Sequence, residues 1–410
     1  MKQNRRTQLA ARVATAGGVA AATSIANAIG YALTVVAARL LEPAEFGAFG
    51  AVLALIIVGS VAALAIQATV ARGRARREPV ASAVRSGLVL ALVAGLGLGL
   101  LSPTLAAFLQ LPSVMPVLAA AVGIAAMTAT APAVGLVQGA ERFTALGVLV
   151  AGQAALRVGG GLVGMAVRPT ASGALVGVAA GLVVGAIGAW FIARPPLRPG
   201  TWATFGVSLR ATLAASALLL GLVMVTNVDV VLARHVLSAQ DSGLYVAGSV
   251  FTKIAFWLPQ FVPLVAFPAL TDPKRRRGAF RLGLLAVVGC GTALVAGTAV
   301  LAGPAVTIVA GSRYADLGPW VPVFTALGAL LAVAQLLVYA HLASGDLPTT
   351  AVVWAVLLAY VGVVELTATS LGGVLVPALS AAGLLVLWGL TRERVMSRRR
   401  DRSRDGPAIP

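Results

Sequence analysis

With a single cysteine in 410 residues, the chain has no disulfide framework and no thiolate metal site. That residue, Cys290, lies inside an apolar run. The two histidines, His235 and His341, are far apart in sequence and form no metal-ligand motif, so neither a metal nor a cofactor is expected. Charge is also scarce: 11% of residues are charged and 59% hydrophobic, with a mean hydropathy of +0.95. A soluble domain of this size would lack the surface charge to stay dissolved. Acids are the rarer sign, 13 against 31 Lys and Arg, for a net charge of +18. No basic stripe is interleaved with exposed aromatics, which argues against nucleic acid as a partner. After the first apolar run, at 14–38, there is no small-residue cleavage site followed by a soluble chain, so that run reads as a span and not as a signal peptide.

What the chain does have is repeated apolar runs of membrane-spanning length. Twelve spans are expected, at 14–38, 48–70, 83–108, 116–138, 144–167, 172–193, 211–232, 243–268, 280–310, 318–343, 348–369 and 372–391. The N-terminus, the even-numbered connections and the C-terminal tail carry 25 Lys and Arg. The odd-numbered connections carry only Arg39, Arg168, Arg234 and Arg313. This bias places both termini in the cytoplasm and accounts for most of the positive charge. Clusters such as Arg72-Gly73-Arg74-Ala75-Arg76-Arg77 and Lys274-Arg275-Arg276-Arg277 are topology determinants, with anionic lipid headgroups as further contacts.

A pattern recurs between spans one and two and between spans seven and eight. Ala38-Arg39-Leu40-Leu41-Glu42-Pro43-Ala44-Glu45-Phe46-Gly47-Ala48-Phe49 returns as Ala233-Arg234-His235-Val236-Leu237-Ser238-Ala239-Gln240-Asp241-Ser242-Gly243-Leu244-Tyr245. Leu41 aligns with Leu237, Glu45 with Asp241, Gly47 with Gly243 and Phe49 with Tyr245, with one extra residue after Arg234. Six spans per half is an even number, so the halves enter the membrane in the same orientation as parallel repeats. The expected architecture is an all-α polytopic membrane protein, with two six-helix lobes around a central cavity. The lobes are expected at 1–197 and 198–393, joined at Arg194-Pro195-Pro196-Leu197-Arg198-Pro199-Gly200, with a basic, disordered cytoplasmic tail at 394–410.

These residues resemble the polysaccharide and lipid-linked oligosaccharide flippases, including the O-antigen flippases. Those belong to the same superfamily as the lipid II flippases and the multidrug-and-toxin extruders. The likeness is carried by Ala37 to Gly47; by Asn227-Val228-Asp229-Val230-Val231-Leu232-Ala233-Arg234 through Gly243-Leu244-Tyr245, with Leu258-Pro259-Gln260 and Phe267-Pro268 downstream; and by Gly303-Pro304 with Gly311-Ser312-Arg313-Tyr314-Ala315. The resemblance implies a transporter in a bacterial-type plasma membrane, with a polyprenyl-diphosphate-linked glycan as substrate. It also implies membrane lipids, and polysaccharide glycosyltransferases or a polymerase, as partners. Twelve spans argue against the lipid II branch, whose members usually have fourteen.

Ionisable groups at mid-bilayer cost about 2.5–3.5 kcal/mol each, which makes them functional candidates. Arg157 is expected about 20 Å into the fifth span, with Gln153 one turn earlier on the same face. Lys253 enters the eighth span from the outer side, and Trp257 and Gln260 continue its face. Thr23, Asn27, Tyr31 and Thr34 form a polar stripe on the first span. Read functionally, these groups line a polar cavity whose cations bind phosphate oxygens and whose rings pack on sugars. Read structurally, Arg157 pairs with a helix end or an acid, Lys253 snorkels, and the stripe holds helices together. Asp229 and Glu365, near the outer ends of spans seven and eleven, are candidates for coupling to a proton or sodium ion; Asp229 is alternatively a partner for Lys253 or Arg234. Arg39 and Arg234 are expected to cap helix C-termini, and Glu45 and Asp241 to favour helix N-termini. Pro259, Pro263 and Pro268 suggest kinks.

Three functions compete. A flippase moves the sugar-diphosphate headgroup through the cavity by rocking one lobe against the other. A multidrug-type exporter requires an acidic cavity, whereas the deepest charges here are basic. A membrane enzyme requires sizeable catalytic loops, and the outer connections are short and nearly uncharged.

Overall fold

The computed structural model describes residues 29–194, 217–260, 276–342 and 348–404. The backbone of the described residues is helical, as lipid demands of any segment that must pair its N–H and C=O groups internally. Among the described residues nine helices are long and apolar enough to cross a membrane, and one bent pair forms a tenth candidate. The chain is a multi-pass membrane protein. Two compact units are present, Met1–Val223 and Met224–Pro410. Most of the joint expected at 194–200 lies outside the described residues.

In the first unit the order is α1 Ile29–Leu40, α2 Pro43–Gly59, α3 Val61–Ala75, α4 Ala81–Leu100, α5 Ser102–Phe108, α6 Met115–Gly139, α7 Phe143–Val167 and α8 Ala171–Ala193. The second unit is entered through α9 Ala217–Val225. It continues with α10 Val228–Val236, α11 Ala239–Trp257, α12 Arg276–Val300, α13 Ala302–Val309, α14 Val321–Leu342, α15 Pro348–Thr367 and α16 Leu371–Arg404. The spans expected at 14–38 and 243–268 are represented by α1 and by α11 with the 3₁₀ turn Leu258–Gln260 that follows it, and the rest of each lies outside the described residues.

Each unit is organised around one buried helix. In the first it is α6, which packs on α2, α3, α4, α5, α7 and α8; in the second it is α14, which packs on α11, α12, α15 and α16. These are the fourth helices of their respective repeats. Hydroxyls on the buried faces are turned back onto their own helices: Thr128 donates to the Ile124 carbonyl at 2.8 Å, Thr130 to Ala126 at 2.7 Å and Thr325 to Val321 at 2.8 Å. No polar atom of these side chains is then left bare in an apolar surrounding.

Three of the expected spans differ in detail. The runs at 83–108 and 280–310 do not continue as single helices. Each ends in a short separate helix, α5 or α13, with Pro103 or Pro304 in its first turn, where a missing N–H costs nothing. The seventh span is broken at Thr226–Asn227, and its halves α9 and α10 meet at 52°. At the C-terminus the backbone stays helical through Arg404, past the start of the expected disordered tail.

The fifth and sixth spans, α7 and α8, approach backbone to backbone. Gly160 and Gly164 of α7 face Gly173, Gly177 and Gly181 of α8. A Cβ at Gly160 would strike the Gly177 carbonyl, one at Gly164 the Gly173 carbonyl, and one at Gly181 the Leu156 carbonyl. Glycine at every fourth position of α8 gives the smooth face that lets the two helices come this close. At the N-terminus of α8, Thr170 caps Gly173 N–H at 3.1 Å, and the carboxylate of Glu45 accepts the Ala171 N–H at 2.6 Å. Glu45 therefore does favour a helix N-terminus, though it is that of α8 and not only that of its own helix.

Candidate functional site

In the first unit the polar feature nearest the middle of a span is Arg157; Arg85, whose Nε and Nη2 also lack partners among the described residues, lies near the start of α4. Arg157 is residue 15 of the 25 in α7, about 21 Å along it at 1.5 Å per residue. The close fit of Gly181 against Leu156 and Arg157 fixes the backbone there. The guanidinium reaches α1, where a Cβ at Gly30 would stand 2.6 Å from Nη2, and Tyr31 is its electrostatic neighbour. Nε is buried with no hydrogen-bond partner, and among the described residues no carboxylate pairs with the group. Gln153, one turn earlier, donates to Thr130 Oγ1 at a long 3.4 Å. Arg157, Gln153 and Tyr31 thus belong to one unit, with Arg157 and Tyr31 in direct electrostatic reach. Asn27 and Thr23 lie outside the described residues.

The second unit handles its buried charge differently. Asp229, in the first turn of α10, is 5% exposed and accepts the Tyr245 hydroxyl at 3.2 Å; its Oδ1 has no partner. Lys253, two turns further along α11 than Tyr245, donates to Asn227 Oδ1 at 2.8 Å and to the Thr226 carbonyl at 3.4 Å. Asp229 and Lys253 attract each other electrostatically. Tyr360 of α15 borders Asp229 across a small cavity that Val225, Leu327, Val356 and Leu357 also line. Of the residues expected to continue the face of Lys253, Trp257 is 38% exposed and stacks edge-on against Phe256 at 5.6 Å. The Gln260 side chain lies outside the described residues, as do Pro263 and Pro268.

Glu365, the other coupling candidate, lies 3.4 Å from His235 Nε2, joining α15 to the end of α10. It is not beside Asp229's partners Tyr245 and Lys253. Arg234 does not merely cap α10: it is buried and donates to Ser242 Oγ at 3.0 Å, tying the repeated turn together, whereas Arg39 of the first repeat is exposed. Among the described residues no group of three or more His, Cys, Asp and Glu is placed to hold a metal.

Several site residues escaped the reading by polarity. Asn227 and the Thr226 carbonyl hold Lys253, and Tyr245 holds Asp229, yet each sits in a segment read as a motif or a turn. A signal was present: Tyr245 aligns with Phe49, so the repeat differs there by a single hydroxyl. Gly30 gives no signal at all, because its role is to be absent beside Arg157.

The family model described as polysaccharide biosynthesis protein matches residues 36–319. No curated protein matches the chain. Among solved structures, the chain is similar to an inward-facing multidrug resistance MATE family transporter of the MOP superfamily, with a TM-score of 0.71 at 14% identity over 90% of this chain and 95% of that one. It is also similar to the lipid II flippase MurJ in an inward closed conformation, with a TM-score of 0.72 at 13% identity over 91% and 87%. A third likeness is the eukaryotic MATE transporter AtDTX14, with a TM-score of 0.65 at 10% identity over 95% and 97%. At these identities the likenesses establish a shared fold.

Proposed function

As this chain belongs to the polysaccharide biosynthesis protein family, we propose that it is a flippase, moving a polyprenyl-diphosphate-linked oligosaccharide across the plasma membrane by alternating access. The observation that carries the reading is Arg157: a guanidinium in the middle of a span, with a buried Nε that has no partner. A cation kept there without a counter-ion costs stability that a structural role does not require. A transient anion offsets that cost, and the planar donors of Arg suit phosphate oxygens. Tyr31 and Gln153 stand beside it as groups for a sugar or a phosphate ester. The multidrug-type alternative calls for a buried acid free to meet a cation, and Asp229 instead has Tyr245 and Lys253. Transport, not catalysis, also fits a family and fold shared with transporters.

In this reading both termini are cytoplasmic, the polyprenyl tail stays in lipid, and the delivered glycan passes to polysaccharide glycosyltransferases or a polymerase. An inside-negative potential favours outward movement of a doubly anionic headgroup by about 4–5 kcal/mol per 100 mV. The test is flipping of a fluorescent polyprenyl-diphosphate oligosaccharide in proteoliposomes, with and without an imposed potential. Transport that quickens with the potential supports the proposal. Absence of flipping across several sugar headgroups removes it, and flipping that ignores the potential removes the electrophoretic account.

A further inference from the structure

The break in the seventh span leaves backbone polar groups without their helical partners. Asn227 N–H recovers one bond, to the Met224 carbonyl at 3.0 Å. The Thr226 carbonyl and the Asn227 side-chain oxygen both point at one atom, the Nζ of Lys253, at 3.4 and 2.8 Å. Two residues on, Asp229 adds a carboxyl group that is 5% exposed, accepts the Tyr245 hydroxyl and lies in electrostatic reach of Lys253. A main-chain carbonyl and an amide carbonyl aimed at one point beside a break in a helix, with a carboxylate in electrostatic reach, resemble the oxygen donors that hard monovalent cations take. Here the cation is a side chain.

We propose that the Lys253 ammonium is the resident cation of this break, standing in for a free alkali ion, so that the second unit holds its bent span without bound Na⁺ or K⁺. Tethering puts the charge at a high effective concentration beside Asp229, whatever the salt around the protein. The cavity next to Asp229, lined by Val225, Leu327 and Tyr360, measures about 10 Å³, room for one water at most and not for a hydrated ion. Asn227 is then a positioning residue for Lys253, and Tyr245 one for Asp229. The inference goes beyond the flippase reading, and its test needs no transport.

The test is thermal unfolding of the full-length protein in detergent, at constant ionic strength, in choline, sodium or potassium chloride. Wild type is expected to melt at the same temperature in all three. Lys253→Met, which keeps the stem and removes the charge, is expected to lose several degrees in choline. It should recover at least half of that loss in Na⁺ or K⁺, because an ion that binds only the folded state raises its melting temperature. The double variant Lys253→Met, Asp229→Asn should show no such recovery. Wild type stabilised by Na⁺ or K⁺ over choline overturns the proposal. So does a Lys253→Met protein that melts like wild type in choline, or one that is weakened and gains nothing from either ion. If Lys253→Met does not fold, the wild-type comparison alone decides.

Discussion

The two repeats share a plan and solve opposite problems with it. In the first unit α7 and α8 meet on bare glycine backbone, and the half-buried Arg157 beside that contact has no carboxylate partner among the described residues. In the second unit Gly362 of α15 and Gly383 of α16 have nothing within 4 Å of where a Cβ would be, buried Asp229 is held by Tyr245, half-buried Lys253 by Asn227, and the two charges attract each other electrostatically. By the alignment of the repeated turn, Thr34, Phe49 and Ile57 occupy the first-unit positions of Asp229, Tyr245 and Lys253. One repeat keeps a cation open and the other has closed its own. On the flippase proposal, such divergence would leave one half as the binding surface and the other as a self-contained electrostatic bearing.

The comparison can be broken at several points. The largest effect is expected at Asp229→Ala, which leaves the half-buried Lys253 ammonium without its carboxylate and the Tyr245 hydroxyl without its acceptor, and should cost about 3 kcal/mol of stability. The aligned Thr34→Ala should cost under about 1 kcal/mol. Chemical denaturation of both variants checks the contrast, and equal losses would dissolve it. Gly177→Ala comes next, since its Cβ meets the Gly160 carbonyl and backbone cannot step aside. Overpacking there should cost about 1–3 kcal/mol. Tyr245→Phe removes one hydrogen bond to a carboxylate, about 1.5–3 kcal/mol, read in the same denaturation series. The smallest effect is at Gly362→Ala, where open space and better helix propensity predict a change within about 1 kcal/mol, in the stabilising direction.

Hydropathy and charge made most of this architecture legible before any coordinates. The spans expected at 116–138, 144–167 and 172–193 match α6, α7 and α8 within a residue or so, because a lipid-facing helix must be apolar throughout and polar at its ends. The breaks were less legible. Pro103 and Pro304 mark α5 and α13, but both sit in runs apolar enough to read as continuous. The break at Thr226–Asn227 has neither proline nor glycine to announce it, and it exists because Lys253, 26 residues away along the chain, supplies what the broken backbone lost. The glycine spacing of 173, 177, 181 and 185 was in plain view, but hydropathy alone gives it no partner. Arg157 stood out by its depth. Asp229 was legible as one alternative partner of Lys253, but the Asn227 and Thr226 oxygens that hold the ammonium were not, because a lysine reads the same whether it faces a cavity or a carbonyl.

The most direct test of the central claim compares Arg157→Gln with wild type in two assays on the same purified protein: lipid-diphosphate oligosaccharide flipping and thermal stability. An arginine kept open for a substrate anion predicts at least a tenfold loss of flipping with no loss of melting temperature, since removing an uncompensated buried charge leaves nothing stranded. Flipping at the wild-type rate, or a melting temperature that falls together with it, would contradict the account and return Arg157 to the structural role that Lys253 plays in the other repeat.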